Sequence, residues 1–219
     1  VWERDTLVAS ERERLAQQAS VIHDNLARQL QSIDKGLASI LDAIAQTRAL
    51  GADQNRAQER IQALADAMVG VGGILWLDGQ GRVQASNRLE LIGRDLSRRA
   101  YFQTAKNSIV LNTLIVGEPF APEPAMWVLP IARPVVNAEG GFDGVVVMAL
   151  YPEDLSTLLR SVLYAPDMYA TVIHPLGRRF VWQNQQGSDL QAPQYGPTPM
   201  LRQFQASGAR QAVLQGVLR

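Results

Sequence analysis

The N-terminal stretch constrains this chain more than any other. Apolar residues recur at Leu15, Ala19, Ile22, Leu26, Leu30, Ile33, Leu37, Ile40 and Ile44, in steps of three and four. That spacing lays one stripe of side chains along an α-helix. The run before it, "ERDTLVASERER" at 3–14, mixes both charge signs at helical spacing, and Gly36 is the single glycine before Gly51. The pattern predicts one helix over residues 4–48, about 65 Å long at 1.5 Å per residue. Globular helices are usually far shorter. A narrow stripe held over several heptads suits a partner helix, such as the same helix in a second copy. It also suits packing along the chain's own globular domain.

Beyond residue 50 the pattern changes. "NRAQERIQALADAMV" predicts a short helix with Ala57, Ile61, Leu64 and Met68 on one face. "GGILWLDGQGRVQAS" reads as strand, Asp-Gly-Gln-Gly turn and strand. "RRAYFQTAKN" follows as a helix capped by Ser97. Then come strands at "NTLIVGEPF", "AMWVLPIARPVV" and "GVVVMALY", the last two joined by the turn "NAEGGFDG", and a helix at "PEDLSTLLRSVL". The remainder restarts with "MYATVIHP", a Pro-Leu-Gly turn, "RRFVWQNQ", a proline-rich loop, the helix "PMLRQFQAS" and a closing strand at "RQAVLQGVLR". The order predicts an α+β chain: a long N-terminal helix at 1–49, then two modules of antiparallel sheet flanked by helices, at 50–160 and 161–219. The second module looks truncated or incomplete.

Composition narrows the function. The chain has 219 residues, with 21 basic and 21 acidic side chains. A net charge of zero supplies no field to draw it to nucleic acid or an anionic membrane. No cysteine occurs, which removes disulfides, thiolate catalysis and zinc–thiolate sites. The two histidines, His23 and His174, are too few for a metal site. No phosphate loop, dinucleotide fingerprint or serine elbow is present, so no catalytic residue and no cofactor is expected. Carboxylate pairs such as Glu11 and Glu13 read as solvated helix surface.

The stretch "GRDLSRRAYFQTAK", 93–106, sets Arg98 and Arg99 against Tyr101 and Phe102 where a helix starts. A buried arginine needs a partner. One reading has an arginine tied to a loop carbonyl or to Asp95. The other has Arg99 offering its planar fork to a ligand carboxylate, with the aromatic rings as walls. Residue chemistry leaves both open. Of the tryptophans, Trp76 and Trp127 suit core packing and Trp182 suits a cleft.

"GRDLSRRAYFQTAKN", "LIVGEPF" followed by "WVLPIARPV", and "GGFDGVVVMALYPEDLSTLL" occur in that order behind a long helix. In this the chain resembles the double Cache family, extracytoplasmic sensor modules of bacterial transmembrane receptors with PAS-like folds. The form is nearest to sensors fused to diguanylate cyclases, with histidine kinases next. The resemblance implies that the N-terminal helix continues from a membrane-spanning segment before Val1, and that a second membrane helix follows the proximal module. It implies a periplasmic, non-catalytic domain that binds a small molecule in the first module and acts as a homodimer through the long helix.

Arg99, Tyr101 and Phe102 fall on the family's R-x-[YW]-[YF] ligand motif, and Trp127 and Arg133 on the strands facing it. Members that bind amino acids carry an aspartate near the place of Ala149. Its replacement here turns the expectation toward a carboxylate or other anion, with Arg99 and Arg133 as positive charge. Two rival readings are a structural or dimerisation module without a ligand and a module that binds a partner protein.

Overall fold

A computed structural model describes residues 2–50, 55–68, 70–123, 126–189, 198–210 and 212–214. The chain divides into two compact units, one of residues 30–154 and one of residues 1–29 with 155–219. Helix α1 (Trp2–Leu50) is unbroken through both. None of the helices among the described residues is long and apolar enough to cross a membrane.

In the 30–154 unit, α1 buries Ile33, Leu37, Ile40 and Ile44 completely or nearly so. The apolar stripe expected from Leu15 is therefore buried only in its second half. Ile22, Leu26 and Leu30 are half-buried, and Leu15 and Ala19 are exposed. Helix α2 (Asn55–Ala67) buries Ala57 and Ile61. A side chain at Gly36 would meet Leu64, Met68 and Met148 at 3.7 Å, so the glycine marks where α1 approaches both α2 and the sheet.

The sheet has six antiparallel strands. They are β1 (Val71–Asp78), β2 (Val83–Ser86), β3 (Ile115–Val116), β4 (Phe120–Glu123), β5 (Met126–Val136) and β6 (Phe142–Leu150). The order is β2-β1-β6-β5-β3, with β4 also paired to β5. The β1–β2 turn is held by Asp78, whose Oδ1 accepts from the amides of Gln80 and Arg82 at 2.9 and 3.0 Å. Gly81 has φ 84° there, a conformation that costs glycine nothing.

The single strand expected over 112–120 is two. Gly117 continues the β3–β5 register by donating to the Pro130 carbonyl at 2.8 Å, and beyond it Pro119 has no amide to donate. Pro130 in turn falls between the partners of β3 and β4, since Val116 pairs with Ile131 and Phe120 with Val128. The missing proline donor thus coincides with the break, while the β5–β6 register runs on through Pro130↔Ala149 and Pro134↔Val145. This is how an inner strand tolerates two prolines.

Alternation divides the sheet. One face carries Leu75, Leu77, Ala132, Val145 and Val147, packed with Tyr101, Phe102 and Ala105 of helix α3 (Ala100–Lys106). The other face carries Trp76, Met148 and Arg133 toward α1. Arg48 lies over the Trp76 ring at 6.0 Å and pairs with Asp143 at 2.7 Å. Ser97 does not cap α3. The capping position is Arg99, whose donor-only side chain makes no capping bond, and the Ser97 amide donates to Asp95 Oδ1 at 2.9 Å.

Helix α4 (Pro152–Ser161) follows β6. In the other unit β7 (Tyr169–Ile173), β8 (Arg179–Asn184) and β9 (Ser188–Asp189) form a three-stranded antiparallel sheet. Strand β9 lies at the start of the stretch expected to be loop only. Phe180 and Val181 are buried, and Tyr169 stacks on half-buried Trp182 at 5.9 Å. Helix α5 (Pro199–Ser207) starts at Thr198, whose hydroxyl accepts from the Leu201 amide at 3.1 Å, and ends at Gly208 with φ 62°. These are the cap chemistries expected of a short helix. Most of the closing strand expected at 210–219 lies outside the described residues, and 212–214 carry no regular structure. Within this unit the Tyr164 hydroxyl donates to Glu11 Oε2 at 2.7 Å, and Arg14 sits 4.8 Å from the Tyr164 ring centre. Glu11 is exposed, as the sequence suggested, and is also tied to the unit through that hydroxyl.

Candidate functional site

A cavity of about 140 Å³ opens on the α3 face of the sheet. Its floor is strand residues: Gly73 and Leu75 of β1, Ala149 of β6, and Met126 and Val128 of β5, with Phe120 and Pro122 of β4 at one side. Its roof is the segment after β2, from which Arg88, Leu91, Arg94, Leu96, Arg99 and Tyr101 line the space. Tyr151 closes the remaining side.

Backbone bonds fix that roof. The segment 93–96 runs beside β2, with Val83 donating to the Arg94 carbonyl at 2.9 Å and Gly93 to the Val83 carbonyl at 2.8 Å. Leu96 donates to Gly81 at 2.8 Å, and Arg82 Nη1 to the Gly93 carbonyl at 2.8 Å. At Gly81 an added Cβ would lie 2.5 Å from Ser97 Cα, so the turn glycine is also what lets the roof close down. A 3-10 turn at Leu89–Leu91 leads into it.

Two ring contacts organise one wall, one with a cation and one between aromatics. The Arg99 guanidinium lies over the Phe120 ring at 4.9 Å, and Phe120 meets Tyr101 at 5.9 Å. Stacking a guanidinium on a ring uses its face and leaves its N–H edges free for acceptors in the plane. Burial pushes the Tyr101 phenol up from 10.0 to about 12, with Arg99 pulling weakly the other way. Tyr101 is therefore a neutral hydroxyl at any physiological pH. Arg88 is engaged by Glu90, Nε to Oε1 at 2.8 Å. That carboxylate is held below its ordinary value by a backbone hydrogen bond first and Arg88 second.

The expected site residues separate. Arg99 and Tyr101 line the cavity together. Phe102 is 1% exposed and meets Phe142 edge-on at 5.6 Å, inside the core cluster. Trp127 is half-buried on β5 and is not among the lining residues. Arg133 is likewise outside the lining. Its Nε lies 2.9 Å from Asp34 Oδ1 of α1, off the N–H axis, so the contact is an ion pair and not a hydrogen bond. Sequence reasoning did not single out Arg88, Arg94, Phe120 or Tyr151. The signal for the arginines was local: Arg88, Arg94, Arg98 and Arg99 crowd a stretch whose acids are Glu90 and Asp95.

No protein-family model matches the sequence, and no curated protein matches it. Solved structures do. The extracellular domain of rpHK1S-Z16, described as a histidine kinase, superposes with TM-score 0.73 at 22% identity over 90% of this chain and 78% of that one. The ligand-binding domain of the Pseudomonas fluorescens chemoreceptor CtaA, in complex with L-isoleucine, gives 0.62 at 17% identity over 81% and 70%. The sensor domain of the V. cholerae histidine kinase DctB gives 0.53 at 18% over 82% and 68%. A long N-terminal helix, antiparallel sheets and flanking helices, α+β in class, are thus the fold this chain shares with extracellular sensor domains of histidine kinases and chemoreceptors.

Proposed function

We propose that the chain is an extracytoplasmic sensor domain of a membrane-bound signalling protein, and that the unit of residues 30–154 binds a small organic anion. One observation carries the reading. Arg94 and Arg99 line the cavity and neither has a carboxylate partner among the ion pairs of the described residues. No acidic side chain lines it among those residues either. An anion supplies the missing charge through hydrogen bonds that are both ionic and directional. Arg99 and Tyr101 are the contacts taken from the sequence motif, with Arg94, Phe120 and Tyr151 added by the geometry. Phe102 supports the roof from the core, and Arg133 holds the sheet to α1.

The domain itself performs no chemistry in this reading. The output belongs to a segment elsewhere in the full protein, and the compared structures carry the names of histidine kinases and chemoreceptors. A diguanylate cyclase output rests on sequence style alone. Ligand binding shifts the output only by its differential affinity for two arrangements of the receptor. A homodimer through α1 fits this scheme, since Leu7, Val8, Leu15 and Val21 leave apolar surface in water on that helix.

A thermal-shift screen against organic acids, amino acids, amines and purines tests the reading. A ligand at about 100 times its Kd adds about 2.7 kcal/mol, a shift of several degrees. A hit among the acids that Arg99→Ala loses, with the variant's own melting unchanged, is the expected result. Stabilisation by amines or purines alone overturns the anion reading. Silence toward every compound, with Arg99→Ala unstable, turns the arginine into a structural tie.

A further inference from the structure

We infer that the unit of residues 30–154 carries a self-complementary contact surface, on which a second copy of this chain seats its loop at Ile109 and Val110 in a groove beside α1. The inference goes beyond the sensor reading and stands whatever the cavity on the α3 face binds.

The groove has a volume of about 810 Å³ and shares no lining residue with that cavity. Helix α1 supplies one wall, with Leu41, Ala45 and Ala49, and the end of β5 another, with Pro134 and Val136. Ala45 and Ala49 are exposed and lie one helical turn apart, so small side chains keep that wall low. Polar groups along the groove already have partners in the chain. Arg48 pairs with Asp143 at 2.7 Å, and Asn137 Oδ1 accepts from the Gly141 amide at 2.7 Å. What the groove offers is apolar surface.

Its complement stands beside it. Leu111 lines the groove, while Ile109 and Val110, just before it in the chain, are 99% and 62% exposed. Ile109 therefore buries almost nothing in its own chain. The Ser108 hydroxyl donates to the Val110 carbonyl at 2.9 Å and bridges over Ile109. A knob set in place beforehand loses little freedom on docking.

Adjacency names the occupant. A two-fold contact between identical chains needs one patch that carries both halves. Knob and groove lie side by side, so one axis between them delivers each knob to the other chain's groove. A foreign partner would use one half and leave the other in water. Charge agrees with this pairing. Lys106 is exposed shortly before the knob, at the end of α3, and Asp42 is exposed on the groove's α1 wall. Both are solvated and need no partner, and their opposite signs orient the encounter.

The chain has no cysteine, so introduced thiols report the contact directly. Full chains carrying Ile109→Cys and Ala45→Cys are mixed and oxidised, and the disulfide between the two variants is expected to dominate. Sedimentation equilibrium on Ile109→Glu, a position too exposed to support the fold, is expected to show self-association weakened at least about tenfold. Lys106→Glu is expected to weaken it less, and Asp42→Lys in the same chain to restore it. Self-association that Ile109→Glu leaves unchanged overturns the inference, even where Val8 and Leu15 of α1 carry a dimer. Ile109→Cys that crosslinks only to itself does the same. A wild-type chain still monomeric at millimolar concentration also overturns it and leaves the groove to a different partner.

Discussion

Gly73 stands directly opposite Ala149 across the β1–β6 ladder, and both line the cavity. Two of the smallest residues thus meet at one cross-strand position on the floor, where larger side chains would fill the space. A Cβ built on Gly73 would meet only Arg88 Cδ, at 3.5 Å, an ordinary contact. The glycine is therefore not required by the backbone. What it supplies is room.

Gly73→Val is accordingly expected to abolish ligand binding without loss of stability. Glycine inside a strand costs roughly 0.5–1 kcal/mol against alanine, so the variant should melt at the same temperature or slightly higher. Calorimetry paired with a melting curve checks it. A variant that still binds would place the ligand elsewhere.

Arg133→Ala is expected to leave ligand affinity unchanged and to cost about 1–3 kcal/mol of stability, the half-exposed state of Asp34 softening the penalty of a stranded charge. The companion Asp34→Ala with Arg133→Met should recover most of that loss. Urea unfolding measures the cost. Loss of binding at wild-type stability would instead put Arg133 in contact with the ligand.

Tyr101 gives the fold an alkaline limit. Its phenol is held neutral in the folded chain up to about 12 against 10.0 for the free group. Between those values the unfolded chain has released a proton that the folded chain retains, so stability falls as pH rises. The slope approaches about 1.4 kcal/mol per pH unit and is absent below pH 10. Tyr101→Phe removes that step. Melting measured across the alkaline range for both proteins decides it, and identical profiles would mean the phenol reaches water.

The exposed apolar side chains of α1 predict self-association. Leu15 is 41% and Val8 45% exposed, one heptad apart on that helix. Replacing both with glutamate should weaken dimerisation at least about tenfold by like-charge apposition and lost burial. Sedimentation equilibrium reads the change. A monomeric wild type would remove the dimer from the mechanism.

Helix α1 was legible because its period needs only local information, and its sequence limits fall within two residues of the observed ends. The burial of its stripe was not, since only from Ile33 does the sheet lie against it. The β3–β4 break depends on Pro130 meeting Gly117 from a different strand, a pairing that no window around 112–120 contains. Arg99 and Tyr101 stood out because cations and aromatics cluster in one short stretch. Tyr151 joins them only through strand register, and it needs a neighbour without a side chain: a Cβ at Gly72 would fall 2.3 Å from the Tyr151 ring. Phe102 was read with Tyr101, yet the start of α3 at Ala100 turns both inward and only Tyr101 reaches the cavity.

The tie between Tyr164 and Glu11 spans 153 positions, and the unit that holds it is assembled from the two ends of the chain. During synthesis that unit has half its parts waiting on the far side of everything else. Residues 30–154 emerge as one continuous piece and can complete their sheet as soon as β6 is free. The other unit must wait until residues 155–189 have left the ribosome, and its closure then spans a much longer loop. Residues 30–154 expressed alone should therefore fold, and residues 155–219 alone should not. In this protein the unit of residues 30–154 comes of age first, and the unit that holds α1's N-terminal turns is completed only after it.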